Sequence, residues 1–177
     1  MKASLAGNII ILKSDDYGLS FSDITSSVGL NSTDLFNVSV SGNGEKVILS
    51  QAIGNNNTLF TSYVSSDYGQ TWTTGTCYRS NYIESSQDGQ LVVGSSSGPT
   101  QPLPAWYSVN SGTTQTNFSL TSMSSGAISM ISTDGSFSVW FDGTSADPYI
   151  NTDGLSTTPV RVTKPNGILQ VTYLLDV

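Results

Sequence analysis

The sequence predicts an all-β fold made of several small antiparallel sheets, and three observations predict it. Ser and Thr make up more than a quarter of the 177 residues, with 17 Gly and only 11% charged residues. That composition is poor in helix formers and suits many short strands joined by tight turns. Asn-Gly or Asp-Gly pairs, the strongest short-range hairpin signal, occur at Asn43-Gly44, Asp88-Gly89, Asp134-Gly135 and Asn166-Gly167. Finally, the octapeptide Ser65-Ser66-Asp67-Tyr68-Gly69-Gln70-Thr71-Trp72 has a near copy 51 residues earlier, Ser14-Asp15-Asp16-Tyr17-Gly18-Leu19-Ser20-Phe21.

Each part of the octapeptide has a physical use. The run Phe60, Ser62, Val64 alternates as a strand entering the turn. The Asp carboxylate accepts backbone N–H groups, and the Gly supplies the positive φ of a tight turn. Thr or Ser opens the returning strand, and the closing aromatic packs into a core. Asp67 and Asp16 are therefore read first as folding devices, with catalysis or metal binding a distant second.

Two weaker copies follow. Ser108 to Thr114 keeps Ser, Gly112 and Thr but has Asn110 in place of Asp. Asn151-Thr152-Asp153-Gly154-Leu155-Ser156 reads as one residue short between Asp and Gly. The glycines of the four turns, Gly18, Gly69, Gly112 and Gly154, are then spaced by 51, 43 and 42 residues.

Each of the four pairs at Asn43, Asp88, Asp134 and Asn166 precedes a strand-like run, namely Lys46–Leu49, Gln90–Val93, Phe137–Trp140 and Ile168–Leu174. The two kinds of turn alternate strictly along the chain. A unit therefore reads strand, tight turn, strand, loop, strand, octapeptide turn, strand. The chain opens on the second half of such a unit and ends on the first half of one. The simplest expectation is a single domain over residues 1–177, a ring of four four-stranded sheets in which N- and C-terminal strands share one sheet. Closure of that kind removes exposed sheet edges.

The octapeptide Ser65 to Trp72, with its copy at Ser14 to Phe21, resembles the Asp-box or BNR repeat, Ser-x-Asp-x-Gly-x-Thr-Trp. The resemblance implies a β-propeller, similar in fold to sialidases. It assigns Ser14, Asp16, Gly18, Ser65, Asp67, Gly69, Trp72, Asn110, Gly112, Asp153 and Gly154 to structural turns. Proteins of this fold group include glycoside hydrolases, receptors and assembly factors, most of them with more than four blades.

Charge and composition then narrow the function. The net charge is −7 with six Lys and Arg in total, so no basic stripe exists for nucleic acid or an anionic membrane. No run approaches the roughly 18 apolar residues of a membrane-spanning helix. The short apolar run Ile9–Leu12 is too brief for a signal peptide. The single Cys77 has no disulfide partner within the chain, and its surroundings match no metal or nucleophile motif. No cofactor and no metal are expected.

The sialidase resemblance implies three arginines that clamp a carboxylate. Only Arg79 and Arg161 are present. Histidine is absent, which removes the usual triads and the commonest metal ligand. Two Glu, Glu45 and Glu84, and the Asp residues outside turns show no recognisable pairing for glycoside cleavage. The loop Asp142 to Asp147 lacks the ligand alternation of a calcium loop.

Binding is the favoured class. Candidate contacts are Tyr78, Arg79 and Tyr82 between two units, and Trp106 and Tyr107 after the Pro-rich stretch Gly98–Pro104. The alternative for Trp106 and Tyr107 is plain strand packing, and Trp72 and Trp140 are read as core. The expectation is a non-catalytic recognition or structural module on an extracellular or virion surface. Its partner would be a glycan or a neighbouring protein chain. A glycoside-active enzyme, or its inactive remnant, and a protein assembly factor are the alternatives.

Overall fold

The computed structural model describes residues 9–30, 36–51, 59–78, 80–95, 103–120, 128–141 and 147–162. These residues form fourteen strands and one short helix. In chain order they are β1 (Leu12–Lys13), β2 (Ser22–Asp23), α1 (Thr25–Val28), β3 (Phe36–Val40), β4 (Val47–Gln51), β5 (Leu59–Ser65), β6 (Thr73–Tyr78) and β7 (Tyr82–Ser85). There follow β8 (Val92–Ser95), β9 (Leu103–Ser108), β10 (Thr116–Leu120), β11 (Ile128–Ile131), β12 (Ser138–Phe141), β13 (Tyr149–Asn151) and β14 (Val160–Arg161).

Consecutive strands pair antiparallel into the sheets β1-β2, β3-β4-β5-β6, β7-β8-β9-β10 and β11-β12-β13-β14. Three sheets thus have the expected four strands, and the first has two among the described residues. The first strands of successive sheets, β3, β7 and β11, lie side by side. This is the arrangement of a small β-propeller, with those strands nearest the axis. The expected sharing of a sheet between N- and C-terminal strands falls on residues 163–177, outside the described residues.

Among the described residues the sheets are held face to face by three separate cores. Between the first sheet and β3–β6 lie Val28, Leu49 and Tyr63, with Ile11, Ile24 and Trp72 packed against them. Between β3–β6 and β7–β10 lie Ile48, Val64, Ile83, Val92 and Trp106. Between β7–β10 and β11–β14 lie Val93, Ala105, Trp140, Tyr149 and Leu155. Neighbours such as Val92 and Val93 serve different cores because adjacent strand residues face opposite sides of a sheet. A sheet buried on both faces requires apolar or small residues at every position. The buried serines fill that need near the axis, where Ser39 donates to Ser85 across sheets at 2.9 Å and Ser95 donates to Ser129 at 3.3 Å. Cys77 is likewise fully buried, more deeply than its polar surroundings in sequence suggest.

The helix α1 is a departure from the sequence reading, which placed no helix. Asp23 Oδ1, two residues before its first position, accepts from Thr25 N–H at 2.9 Å, and the helix ends on Gly29 at φ 70°. The left-handed glycine satisfies the usual requirement for stopping a helix.

Candidate functional site

The Asn/Asp-Gly turns at Asn43, Asp88 and Asp134 and the octapeptide turns lie at one end of the propeller, since β3-β4, β5-β6 and their counterparts are joined there, while Asn166-Gly167 lies outside the described residues. The Asn/Asp-Gly turns are near copies of one another. Ser41, Ser86 and Ser132 each donate to the carboxamide or carboxylate two residues on, Asn43, Asp88 or Asp134, at 2.8, 2.6 and 2.7 Å. The same hydroxyls accept the N–H of Lys46, Leu91 and Phe137, at 2.9, 3.1 and 3.0 Å. Each turn also grips the next one: Gly42 N–H donates to the Gln87 carbonyl, and Gln87 N–H to the Thr133 carbonyl, at 2.8 and 2.7 Å.

The octapeptide turns repeat as closely. Asp16 and Asp67 each accept from a serine hydroxyl, Ser14 or Ser65, at 2.8 Å. On the far side they accept from the N–H of Ser20 and Thr71 at 2.8 Å and from their hydroxyls at 2.6 and 2.5 Å. Asn110 copies this geometry in the third turn, accepting from Thr114 N–H at 2.9 Å while its amide donates to the Thr114 hydroxyl at 2.9 Å.

The fourth turn corrects the sequence reading. It is not one residue short. Asn151 takes the serine position and accepts from Leu155 N–H at 2.8 Å, and Asp153 is bonded to the Thr157 hydroxyl at 2.6 Å. Leu155, not Gly154, stands where Gly18, Gly69 and Gly112 stand, so Gly112 and Leu155 are 43 residues apart, as are Gly69 and Gly112. Two consecutive residues are left-handed in every copy: Tyr17-Gly18, Tyr68-Gly69, Ser111-Gly112 and Gly154-Leu155. The backbone asks for that pair, and either member can be the glycine. Leu155 is 2% exposed in the third core, so packing offsets the steric cost of its positive φ.

These hydrogen bonds occupy the carboxylates. Hydroxyl and amide donors hold Asp16, Asp67, Asp134 and Asp153 at about 2, below the ordinary carboxylate range. A carboxyl with a lower pKa folded than unfolded contributes stability that is complete above its unfolded pKa and fades as pH falls through the folded one. Thermal stability is therefore expected to hold down to about pH 4 and to fall steeply towards pH 2. A melting series across that range checks this, and a flat profile would contradict it.

The proposed contact residues that are described, Tyr82, Trp106 and Tyr107, do not form one exposed surface. Trp106 is fully buried, and its indole N–H donates to Ser80 Oγ at 2.7 Å. This removes Trp106 from the candidate contacts and leaves the alternative, strand packing. Gly94, its cross-strand partner, leaves the space its ring fills. Tyr107 follows Trp106 in the same strand and so faces the opposite side, half-buried against Phe118 at 6.3 Å between ring centroids. Tyr82 is exposed, at the end of β7 away from its turn. Arg79 and the Tyr78 side chain lie outside what is described, as does most of the loop 142–147. Trp140 is fully buried, as expected, and Trp72 is half-buried with its indole N–H on the Gly69 carbonyl at 3.1 Å.

A groove missed by the sequence reading lies instead between the first sheet and β3–β6. Its volume is about 750 Å³, and its lining includes Leu12, Tyr17, Val38, Val40, Tyr68 and Trp72. Tyr17 is fully exposed, Tyr68 is 48% exposed, and Val38 and Val40 present 57% and 50% of their surface. The two tyrosines hold equivalent left-handed positions, at φ 58° and 60°. Lys13 and Asp15 form an ion pair of 2.8 Å at its edge. Among the described residues no cluster of His, Cys, Asp and Glu is arranged to hold a metal.

No protein-family model matches the chain, and no curated protein does. Among solved structures, it is similar to the GH74 xyloglucanase from Xanthomonas campestris, with 18% identity and a TM-score of 0.44 over 66% of this chain and 17% of that one. It is also similar to YCF48 bound to D1 peptide, with 18% identity and a TM-score of 0.47 over 75% of this chain and 40% of that one. The chain thus spans less than half the length of either.

Proposed function

We propose that this propeller is a non-catalytic recognition module that binds a partner protein in the groove between β1-β2 and β3–β6. The observation that carries the reading is the pair Tyr17 and Tyr68. Both rings are exposed over an apolar floor, and both sit on backbone that a side chain adopts at a cost. Large aromatic anchors beside aliphatic side chains are the usual makings of an interface core. The non-catalytic reading is supported by the turn carboxylates, whose oxygens are engaged by their own turns.

The test is the double variant Tyr17→Ser/Tyr68→Ser. Ser111 holds the same left-handed position in the third turn, so the fold tolerates serine there, and the melting temperature is expected to move by no more than about 2 °C. Peptides selected from a random phage-displayed library on the wild-type protein are expected to lose binding to the variant. Turnover of any member of a fluorogenic glycoside panel would overturn the non-catalytic reading. Peptides held equally by both proteins would overturn the groove.

A further inference from the structure

A second cavity, of about 560 Å³, lies at the axis between β3, β7 and β11. It adjoins the groove, because Val38 and Val40 line both. Its walls include Met130 and Ile131 as well, so much of the surface offered is aliphatic. Among the described residues lining it, Glu84 is the one that carries a charge. We infer that this cavity receives a lysine or arginine side chain of the partner, with the Glu84 carboxylate as its counter-charge. This deepens the recognition reading and rests on it.

The chemistry of the cavity selects a cation. Glu84 Oε2 accepts one long hydrogen bond, from Ile131 N–H at 3.3 Å. A carboxylate offers about four acceptor sites, so most of its capacity is unspent. Among the described residues no Lys or Arg lies within ion-pair distance of it. The residue as a whole is exposed, and partial desolvation of its carboxyl group raises its pKa from the ordinary value. An incoming ammonium or guanidinium group would relieve that cost. Its methylene stem would lie along Val38, Val40 and Met130, as long basic side chains do on apolar surface. The chain's net charge of −7 draws cationic partners towards the site. A neutral or acidic side chain would leave the carboxylate buried by the partner without a counter-charge.

The test uses the peptides selected above on wild-type protein and on Glu84→Gln. The amide oxygen of the variant keeps an acceptor for Ile131 N–H, so the variant is expected to fold with an unchanged or slightly higher melting temperature at neutral pH. The selected peptides should share one Lys or Arg. Replacing it by norleucine, which keeps the stem and removes the charge, should weaken binding to wild type at least ~tenfold. Glu84→Gln should bind the lysine and norleucine peptides alike. Equal binding of the two peptides by wild type, or undiminished preference for lysine in Glu84→Gln, would overturn the inference. If peptides lose binding in the tyrosine variant but show no need for a cation, the groove stands and the counter-charge falls. If the library yields no binder, both fall.

Discussion

Gly94→Ala is expected to lower the melting temperature by roughly 6–12 °C, about 3 kcal/mol for a domain of this size. A Cβ at this position would lie 2.2 Å from Cε2 and Cζ2 of Trp106 and 2.6 Å from its Nε1. The ring cannot move aside cheaply. Trp106 has no exposed surface, is packed among Ile48, Val64, Ile83 and Val92, and is tethered by its bond to Ser80. Overpacking of this kind typically costs about 1–3 kcal/mol, and displacing the ring adds roughly 1 kcal/mol for the hydrogen bond. Thermal denaturation followed by circular dichroism gives the number. A shrunken partner tests the cause: adding Trp106→Leu should cost less in the Gly94→Ala background than alone, a coupling that a double-mutant cycle measures. Strict additivity would show that the two residues do not compete for the same space.

Trp140→Ala is expected to cost about 3–5 kcal/mol. Its ring is fully buried between the last two sheets and meets Phe118 edge-on, with centroids 4.8 Å apart and planes at 86°. Truncation empties the centre of the third core, where Val93, Ala105, Tyr149 and Leu155 have no alternative packing surface. Urea unfolding should show a lower midpoint. A shallower slope in addition would mean that the last sheet has detached, which is reasonable for a structure whose cores are separate. A midpoint unchanged from wild type would place the cohesion of these sheets elsewhere.

The elements legible in the sequence were those with backbone demands that few residues meet. Asn43-Gly44, Asp88-Gly89 and Asp134-Gly135 mark their turns because left-handed backbone and side-chain capping select Asn, Asp and Gly. Their regular alternation with the octapeptides then exposed the repeat. The fourth octapeptide was misaligned because glycine was used as the landmark, whereas the turn needs two left-handed residues and Gly154-Leu155 reverses their order. The burial of Trp106 was hidden because it depends on Gly94, a residue from the neighbouring strand with no local signal of its own. The groove was hidden for a similar reason. Tyr17, Val38 and Tyr68 come from three separate stretches, and only the packing of one sheet on the next makes them neighbours. Glu84 was weighed as half of a catalytic pair. Its position at the axis emerges only when β3, β7 and β11 are assembled.

The hydrogen bonds that join the Asn/Asp-Gly turns run in one direction, with Gly42 donating to Gln87 and Gln87 to Thr133. The sheet β7–β10 thus takes on one side and gives on the other, so the sheets β3–β6, β7–β10 and β11–β14 meet head to tail like the subunits of a cyclic oligomer. A joint of this kind does not specify how many units it connects. It is what a gene would produce by copying one sheet-sized segment in tandem, and a further copy inserted between β6 and β7 would meet both neighbours through the contact they already use.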